Sequence, residues 1–195
     1  MGKNILVVVD YQYDFFNPNG ALYVNGGEKL QEKIANVIPN FDGVIFTQDC
    51  HPYNHCSFID MGGQWPRHCV EDSIGAGIPI EFFDAAKNYA VEKKGMDYTQ
   101  EEYGAFSDKI SLCSLVGAVT KPDDLNYNKF VFNDDEYKFV ICGLVDMYCV
   151  IETLKNIIKH VGAENVSVFM DGIGSFDEHK NFKKYIIDNK IKIYK

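Results

Sequence analysis

The sequence is short of positive charge and has no long apolar run. Its 195 residues include 19 lysines and arginines against 28 aspartates and glutamates, a formal net charge of −9. A nucleic-acid-binding surface needs clustered basic residues, so this balance argues against nucleic acid as a partner. The apolar run at residues 5–9 is too short for a signal peptide or for the roughly 20 residues that cross a membrane. We therefore expect a cytoplasmic protein that binds neither nucleic acid nor membranes.

Several motifs of common enzyme classes are also missing. The chain has no complete Gly-x-Gly-x-x-Gly dinucleotide motif, no Walker nucleotide-binding motif and no Gly-x-Ser-x-Gly nucleophile elbow. Six cysteines are present, but none are spaced as Cys-x-x-Cys, the usual mark of closed zinc sites. Without a secretory signal, we expect free or functional thiols and not disulfides.

Short apolar, β-branched runs alternate with stretches of helical spacing. The runs predict strands at residues 5–9, 44–47, 89–91, 139–141 and 166–170, and a short edge strand at 191–194. The helical stretches are 28–38, 147–161 and 179–189. Continuous apolar runs are typical of parallel strands that are buried on both faces. The pattern predicts one α/β domain over residues 1–195, a doubly wound, mainly parallel sheet of the three-layer Rossmann type with helices on both faces.

Two segments do not fit this alternation. Residues 50–88 are rich in Pro, Gly, His and Cys and are too long for a plain connection, so we expect a functional loop. Residues 111–137 contain turn signals at 121–124 and 126–128. We expect them to form a surface excursion, whose role the sequence leaves open.

Residues that can carry chemistry follow the predicted strands at the point where each strand ends. They are Asp10, Asp49, Lys94, Cys142 with Gly143, and Asp171. Ligands of doubly wound sheets bind beyond the carboxyl ends of the strands. Strand ends also carry charges simply because they reach solvent, so each residue taken alone is weak evidence.

Histidines and a carboxylate cluster in the segments TQDCHPYNHCSF and QWPRHCV. The candidate ligands are Asp49, His51, His55 and His68. Imidazole nitrogen and carboxylate oxygen suit Zn, Fe, Mn or Co, and three protein ligands with open positions would make a catalytic metal site. The alternatives are a structural zinc site that also uses the neighbouring cysteines, and surface histidines without a metal. The other two histidines, His160 and His179, fall on predicted helices and are expected at the surface.

Cys149 lies just after a predicted strand and at the start of a predicted helix. The helix dipole and free N–H groups lower the pKa of a thiol at such a position, and the N–H groups can also form an oxyanion hole. Asp10 could accept the thiol proton, and Lys94 could orient Asp10 or stabilise the thiolate. Cys142 instead continues an apolar strand and is expected to pack as a small hydrophobic group. A buried packing role is also the alternative for Cys149.

Seven motifs occur in order over residues 5–177: VVVDYQYDF, VNGGE, TQDCHPYNHCSF, WPRHC, EKKG, YGAFSD and CGLVDMYCV. With them the chain resembles the nicotinamidases of the isochorismatase-like cysteine hydrolase family, with most of residues 111–137 outside the likeness. In that family the isochorismatases lack the cysteine, and carbamoylsarcosine-type amidohydrolases lack the metal motif. This sequence has both.

The resemblance implies a set of site residues. The catalytic triad falls on Asp10, Lys94 and Cys149. One divalent ion, Zn with Fe or Mn as alternatives, falls on Asp49, His51 and His68, and His55 matches a position that is a ligand in only some members. The aromatic pocket positions are Phe15, Trp65 and Tyr103. The oxyanion hole falls on the backbone N–H groups of Val145, Asp146 and Cys149.

The segment before Cys149 departs from the family pattern. Val145, Asp146 and Met147 stand where members usually carry a small residue, then Thr or Leu, then Asp. The family also has a cis peptide bond near this point, which the resemblance places between Val145 and Asp146.

The resemblance implies that nicotinamide is converted to nicotinate and ammonia through a cysteine thioester, as a step of NAD salvage, with pyrazinamide as a second substrate. Nicotinamide is therefore the expected small-molecule partner, and the sequence does not determine whether the chain forms a homo-oligomer. One alternative is a hydrolase of another small amide in the same family, with a structural metal. The other is a zinc-stabilised binding protein without activity.

Overall fold

The computed structural model describes residues 2–120 and 137–195. The strands in this part of the chain are β1 (Lys3–Val9), β2 (Gly43–Asp49), β3 (Tyr89–Lys94), β4 (Tyr137–Gly143), β5 (Val166–Ile173) and β6 (Lys192–Ile193). They form one parallel sheet in the order β3-β2-β1-β4-β5-β6. The predicted doubly wound parallel sheet is confirmed.

The helices of the described residues complete the three layers. They are α1 (Tyr13–Phe16), α2 (Gln31–Val37), α3 (Ile80–Ala85), α4 (Lys109–Thr120), α5 (Ile151–Val161) and α6 (Lys180–Asp188). Short 3-10 turns are Gly27–Leu30, Ile38–Asn40, Ile59–Met61, Ile74–Ala76 and Ala163–Asn165. A π-helical turn, Asp146–Val150, leads directly into α5. Helix α4 packs against β2 and β3, and α2 and α5 pack against β5.

The inner strands are apolar along their length because both of their faces are covered. The five side chains of residues 5–9 in β1 are at most 1% exposed, and each fully buried aliphatic side chain contributes about 1.5–3 kcal/mol. Strand β3 lies at the edge of the sheet and instead alternates exposed and half-buried residues until the buried Lys94. Inner and edge strands thus have the patterns that their positions require.

The strand order reverses between β1 and β4, and the carboxyl ends around this point form the place where such sheets bind ligands. Strand β1 ends just before Asp10, β2 ends at Asp49, β3 at Lys94 and β4 at Gly143. The backbones of β1 and β4 approach so closely that a Cβ on Gly143, whose φ is +118°, would lie 2.0 Å from the Val9 carbonyl oxygen. The strand-end residues therefore meet at one edge of the sheet.

Two segments predicted without helices contain them. Helix α3 lies within residues 50–88. Helix α4 includes residues 111–120, so the predicted surface excursion is wrong for its first ten residues. Leu112, Val116 and Val119 are completely buried, and their spacing of four and three residues is that of a helix face. The predicted turns at 121–124 and 126–128 lie outside the described residues.

One strand-end prediction is also wrong. Strand β5 continues through Ile173, so Asp171 lies within it, and its side chain is exposed. Asp171 therefore does not join the residues at the carboxyl edge. Across residues 2–120 and 137–195, no helix combines the length and the apolar character needed to cross a membrane.

Candidate active site

The three predicted triad residues lie together at the carboxyl edge of the sheet. Lys94 Nζ lies 2.8 Å from Asp10 Oδ2 and 3.6 Å from Cys149 Sγ. Cys149 Sγ lies within 4.8 Å of a carboxylate oxygen of Asp10. All three side chains are buried. A thiol, a carboxylate and an ammonium group thus share one enclosed site, which is the arrangement of a nucleophile beside its base.

Thr47 on β2 fixes the carboxylate of Asp10. Its hydroxyl donates to Asp10 Oδ1 at 2.5 Å, and the Asp10 backbone N–H donates to Thr47 Oγ1 at 3.1 Å. Thr47 was not among the site residues predicted from the sequence. The available signal was a polar residue inside the apolar run at 44–47.

Burial dominates the pKa values of two triad residues, Asp10 and Cys149. It raises the pKa of the Asp10 carboxyl against the opposing effect of Lys94. It also raises the pKa of the Cys149 thiol well above its ordinary value, and Lys94 only partly offsets the effect. The expectation that the helix start lowers this thiol pKa is therefore wrong. A thiol held protonated needs a base, and a carboxyl with a raised pKa is suited to take its proton near neutral pH.

Asp49, His51 and His68 form a compact buried cluster. Their candidate ligand atoms all lie within 4.8 Å of one another. His51 Nε2 lies 3.1 Å from Asp49 Oδ2, and His68 Nε2 lies 3.8 Å from the same oxygen. Strand β2 supplies the carboxylate, and the following segment supplies both imidazoles.

Both histidines of this cluster present the same ring nitrogen to Asp49. His51 Nδ1 donates to the Gly95 carbonyl at 2.9 Å, and His68 Nδ1 donates to the Pro66 carbonyl at 2.7 Å. Since carbonyl oxygens only accept, each Nδ1 carries a proton and each Nε2 is left as the ligand atom. Burial lowers the pKa of His68 and so favours its neutral form. Two oriented imidazoles and one carboxylate fit a divalent ion such as Zn²⁺, Fe²⁺ or Mn²⁺.

Gly95 leaves room for this cluster. Its φ is +67°, and a Cβ at this position would lie 2.6 Å from His51 Cε1 and 3.1 Å from Asp49 Oδ1. A side chain here would be strained and would also displace the imidazole. The glycine of the EKKG motif is thus required by the cluster.

His55 lies beside the cluster but is not brought into it. Its Nδ1 lies 2.7 Å from Ser57 Oγ, and its Nε2 lies 3.0 Å from the Gln100 carbonyl oxygen. Its ring stacks on that of His51 with 4.0 Å between centroids. The structure therefore joins three of the four candidate ligands and places His55 as a support for one of them.

The two histidines expected at the surface are both half-buried and hydrogen bonded. His160 Nε2 lies 3.2 Å from the Phe106 carbonyl oxygen. His179 Nδ1 lies 3.0 Å from Asp146 Oδ2. The surface prediction is therefore wrong for both.

An aromatic pocket opens next to Cys149. The predicted residues Phe15, Trp65 and Tyr103 all line it, together with Asp49 and His68. Trp65 Nε1 donates to the Tyr103 hydroxyl at 3.0 Å, which fixes the two rings relative to each other. The space is about 390 Å³, including the open solvent at its mouth.

Two further aromatic residues of the pocket were not identified from the sequence. Tyr148 packs edge-on against Trp65 at 5.3 Å, and Phe176 packs against Tyr148 at 6.1 Å. Tyr148 directly precedes Cys149 in the CGLVDMYCV motif, which was an available signal. Phe176 comes from the segment after β5, which no local pattern links to the pocket.

The segment before Cys149 differs from the expectation in two ways. The cis peptide bond joins Leu144 and Val145, one residue earlier than predicted. The Asp146 N–H donates to the Gly174 carbonyl at 3.0 Å, so it is not available as an oxyanion donor. Val145 and Cys149 both line the pocket, and their N–H groups remain the candidate donors.

Two side chains of the first motif, Gln12 and Asp14, support the site through hydrogen bonds to the backbone of its segments. The Gln12 side chain accepts from the Asp49 N–H and donates to the Asp49 carbonyl, both at 2.8 Å. Asp14 Oδ2 accepts from the Cys69 N–H at 2.8 Å, next to His68. Gln12 therefore positions Asp49 of the candidate metal cluster, and Asp14 positions the residue that follows His68.

Comparison with protein families and curated proteins links the chain to known enzymes. The model of the isochorismatase domain matches residues 4–107. The nicotinamidase of Saccharomyces cerevisiae is 28% identical over 175 residues, which is 74% of this chain and 76% of the yeast protein.

Comparison with solved structures gives relatives over the whole fold. The pyrazinamidase of Pyrococcus horikoshii, solved in complex with zinc, has a TM-score of 0.76 and 28% identity, covering 99% of both chains. PnC1 of L. infantum, solved in complex with nicotinate, has a TM-score of 0.78 and 27% identity, covering 99% of this chain and 92% of the other. The family match extends over more than half of the sequence and includes Asp10, Asp49 and Lys94. This chain therefore belongs to the isochorismatase family.

Proposed function

We propose that this protein hydrolyses nicotinamide to nicotinate and ammonia, with pyrazinamide as a second substrate and NAD salvage as the context. The observation that carries this proposal is that Cys149 and the ligand residues Asp49 and His68 line the same aromatic pocket. A small aromatic amide in that pocket would have its ring near the candidate metal cluster and its carboxamide near the thiol. The likeness to a curated nicotinamidase, and to proteins solved with nicotinate and with zinc, supports this choice.

The first half of the reaction forms a thioester on Cys149. Asp10 takes the thiol proton, and the sulfur attacks the carboxamide carbon. The N–H groups of Val145 and Cys149 hold the oxyanion, at about 3–4 kcal/mol for each well-placed donor. Asp10 then gives its proton to the amide nitrogen, the C–N bond breaks, and ammonia leaves.

The second half of the reaction releases the acid. Asp10, now a carboxylate again, takes a proton from a water molecule, whose oxygen attacks the thioester carbon. The tetrahedral intermediate expels the Cys149 sulfur, which recovers the proton from Asp10. Lys94 stays charged throughout, because Asp10 and Asp49 outweigh the effect of burial and raise its pKa. Its ammonium stabilises the sulfur whenever the sulfur is anionic.

Substrate orientation is assigned to the cluster and the aromatic residues. Asp49, His51 and His68 would hold a divalent ion, which would supply a Lewis-acid contact for the pyridine nitrogen and act as a template. Phe15 and Trp65 would flank the substrate ring, and the Tyr103 hydroxyl fixes Trp65 by accepting its Nε1–H. Together these residues exclude water from the ring and leave the carboxamide facing Cys149.

Ammonia release from nicotinamide, pyrazinamide and benzamide by the metal-loaded protein tests this function. Benzamide has the same carboxamide but lacks the ring nitrogen. We expect turnover of the first two and a kcat/KM for benzamide that is roughly 10⁴-fold lower, because the metal ion that would bind the ring nitrogen is left unpaired. Equal turnover of benzamide would show that the metal is structural. No ammonia from nicotinamide would overturn the proposal.

A further inference from the structure

A buried carboxylate–imidazole pair lies outside the triad and outside the candidate metal cluster. His179 Nδ1 donates to Asp146 Oδ2 at 3.0 Å. The Asp146 side chain is only 2% exposed and that of His179 is 22% exposed. The other carboxylate oxygen, Oδ1, accepts from the Met147 N–H at 2.8 Å. His179 therefore supplies a side-chain partner to a carboxylate that burial would otherwise make costly.

The pair belongs to a set of three hydrogen bonds between two segments, which we call the nucleophile segment (residues 143–149) and the strap (residues 174–179). The rings of Tyr148 and Phe176 also pack against each other between these segments. The Gly174 N–H donates to the Gly143 carbonyl at 3.1 Å, and the Asp146 N–H donates to the Gly174 carbonyl at 3.0 Å. These two backbone contacts hold only the first residue of the strap. The contact with His179 adds its other end.

The strap is folded so that His179 reaches back to Asp146. Ser175 Oγ accepts from the backbone N–H groups of Asp177 at 3.1 Å and of His179 at 3.0 Å. His179 itself has a φ of +64°, a left-handed conformation that favours Gly and Asn over most residues. The position of the imidazole is thus set by the turn before it.

Asp146 stands between this contact and the reacting groups. It does not line the pocket, but Val145 directly before it and Cys149 three residues after it both do. Those two residues carry the candidate oxyanion donors. A displacement of about 1 Å in such a donor set lowers a rate by roughly 100-fold, so a contact that fixes Asp146 can affect the rate without touching the substrate.

We propose that His179 is a positioning residue for the hydrolysis, because it holds Asp146 and thereby aims the N–H groups of Val145 and Cys149 at the oxyanion. This inference rests on the proposed function. It concerns this chain in particular, because Asp146 stands where the family pattern has Thr or Leu. In the sequence, Asp146 stands out as a departure from the family pattern and His179 as a histidine on a predicted helix. Only the fold brings the two residues together.

The test compares His179→Asn with His179→Gly. Both residues accept the left-handed backbone, but only Asn offers an N–H group close to the position of Nδ1. We expect His179→Gly to lower kcat for nicotinamide by about 10- to 100-fold with KM changed less than about threefold. His179→Asn is expected to restore kcat to within about threefold of wild type.

A second readout separates positioning from general loosening of the site. Alkylation of Cys149 by iodoacetamide, followed by peptide mass spectrometry, needs the thiolate but no oxyanion hole. We expect its rate to stay within about threefold of wild type in both variants. The matched control is His160→Asn, for which kcat should not change. His160 is also half-buried, but it bonds to a backbone carbonyl and not to Asp146.

Each remaining result counts against the inference. Wild-type kcat in His179→Gly, or equal losses in the Gly and Asn variants, would overturn it. So would a loss of kcat together with a lower melting temperature and altered Cys149 alkylation, which would show a structural role. Wild-type protein that releases no ammonia from nicotinamide would contradict the proposed function itself, and the inference with it.

Discussion

Lys94 Nζ lies 2.6 Å from Asp49 Oδ1, and this contact joins the triad to the candidate metal cluster. The opposite oxygen of Asp49 faces His51 Nε2 at 3.1 Å. Burial raises the pKa of Asp49, but Lys94 and His51 outweigh it and hold that pKa below its usual range. The same ammonium is paired with Asp10. The Asp49 carboxylate thus belongs to both the triad and the candidate metal cluster, and a change in one of them should affect the other.

Replacing Lys94 with Met should destabilise the protein as well as stop turnover. The change leaves Asp10 and Asp49 as buried carboxylates without their counter-charge, which costs about 3–5 kcal/mol. It also removes the cation beside Cys149. Urea denaturation and ammonia release measure the two effects.

The matched control is Lys93→Met, because the Lys93 side chain is 47% exposed on the same strand. Its free energy of unfolding should change by less than about 0.5 kcal/mol. A Lys94→Met protein as stable as this control would contradict the buried ion-pair network.

Gly95→Ala should empty the candidate metal cluster. The new Cβ would lie 2.6 Å from His51 Cε1 on a backbone with φ of +67°. We expect metal content, measured by elemental analysis after dialysis, to fall by about tenfold or more, because altered ligand support typically costs 10- to 100-fold in affinity.

Gly26→Ala is the control for backbone strain alone. Gly26 has a φ of +79°, but a Cβ there would meet nothing within 4 Å. Its metal content should match that of wild type. Equal losses in the two variants would show that strain, and not the contact with His51, is responsible.

Removal of the metal should weaken nicotinamide binding strongly and change the reactivity of the Cys149 thiol only slightly. We expect a chelated, dialysed protein to show a raised KM or no turnover, and a lower melting temperature that returns when Zn²⁺ is added back. The Cys149 alkylation rate should change far less. Full activity in a protein shown by elemental analysis to hold no metal would refute the template role.

His68→Ala should likewise lose the metal, whereas His55→Asn should keep it. His55 bonds to Ser57 and Gln100 and lies outside the three-residue cluster. Elemental analysis of the metal content of both variants tests this prediction, with His160→Ala as the control that should keep the metal. Loss of the metal in His55→Asn would make His55 a fourth ligand.

Thr47→Val should move the pH dependence of kcat. The Thr47 hydrogen bond lowers the pKa of Asp10 because it stabilises the charged carboxylate, so its removal should raise that pKa. Asp10 acts as a base only when ionised, and the acid limb of the kcat profile should therefore move to higher pH.

The control for this change is Thr153→Val, which also removes a buried hydroxyl. Thr153 Oγ1 accepts from the Ala105 N–H at 3.2 Å, and Thr153 is not among the groups that shift the pKa of Asp10. Its acid limb should stay in place. A shift to lower pH in Thr47→Val would contradict the assignment of Asp10 as the base.

The features that could be predicted from the sequence are those that depend on short, continuous stretches of the chain. Buried parallel strands are continuous apolar runs, so the strand ends at Asp10, Asp49 and Lys94 could be located, and a parallel sheet necessarily brings such ends to one edge. Cys149 could likewise be placed near a helix start, although a π-helical turn precedes α5 there.

The features that the sequence did not predict depend on contacts between distant residues. Asp146 and His179 are 33 positions apart, and neither local pattern points to the other. The raised pKa of Cys149 follows from its burial, which a helix-start argument does not contain. Helix α4 was missed because the turn signals after it dominated the interpretation of residues 111–137.

The most direct measurement is ammonia release from nicotinamide by Cys149→Ala beside Cys142→Ala. Both thiols are buried, but Cys142 lies in β4, within the core. We expect Cys149→Ala to lose about 10⁴-fold or more in kcat, while Cys142→Ala keeps kcat within a few-fold of wild type. Turnover by Cys149→Ala above a trace would contradict the thioester route and with it the account of the site.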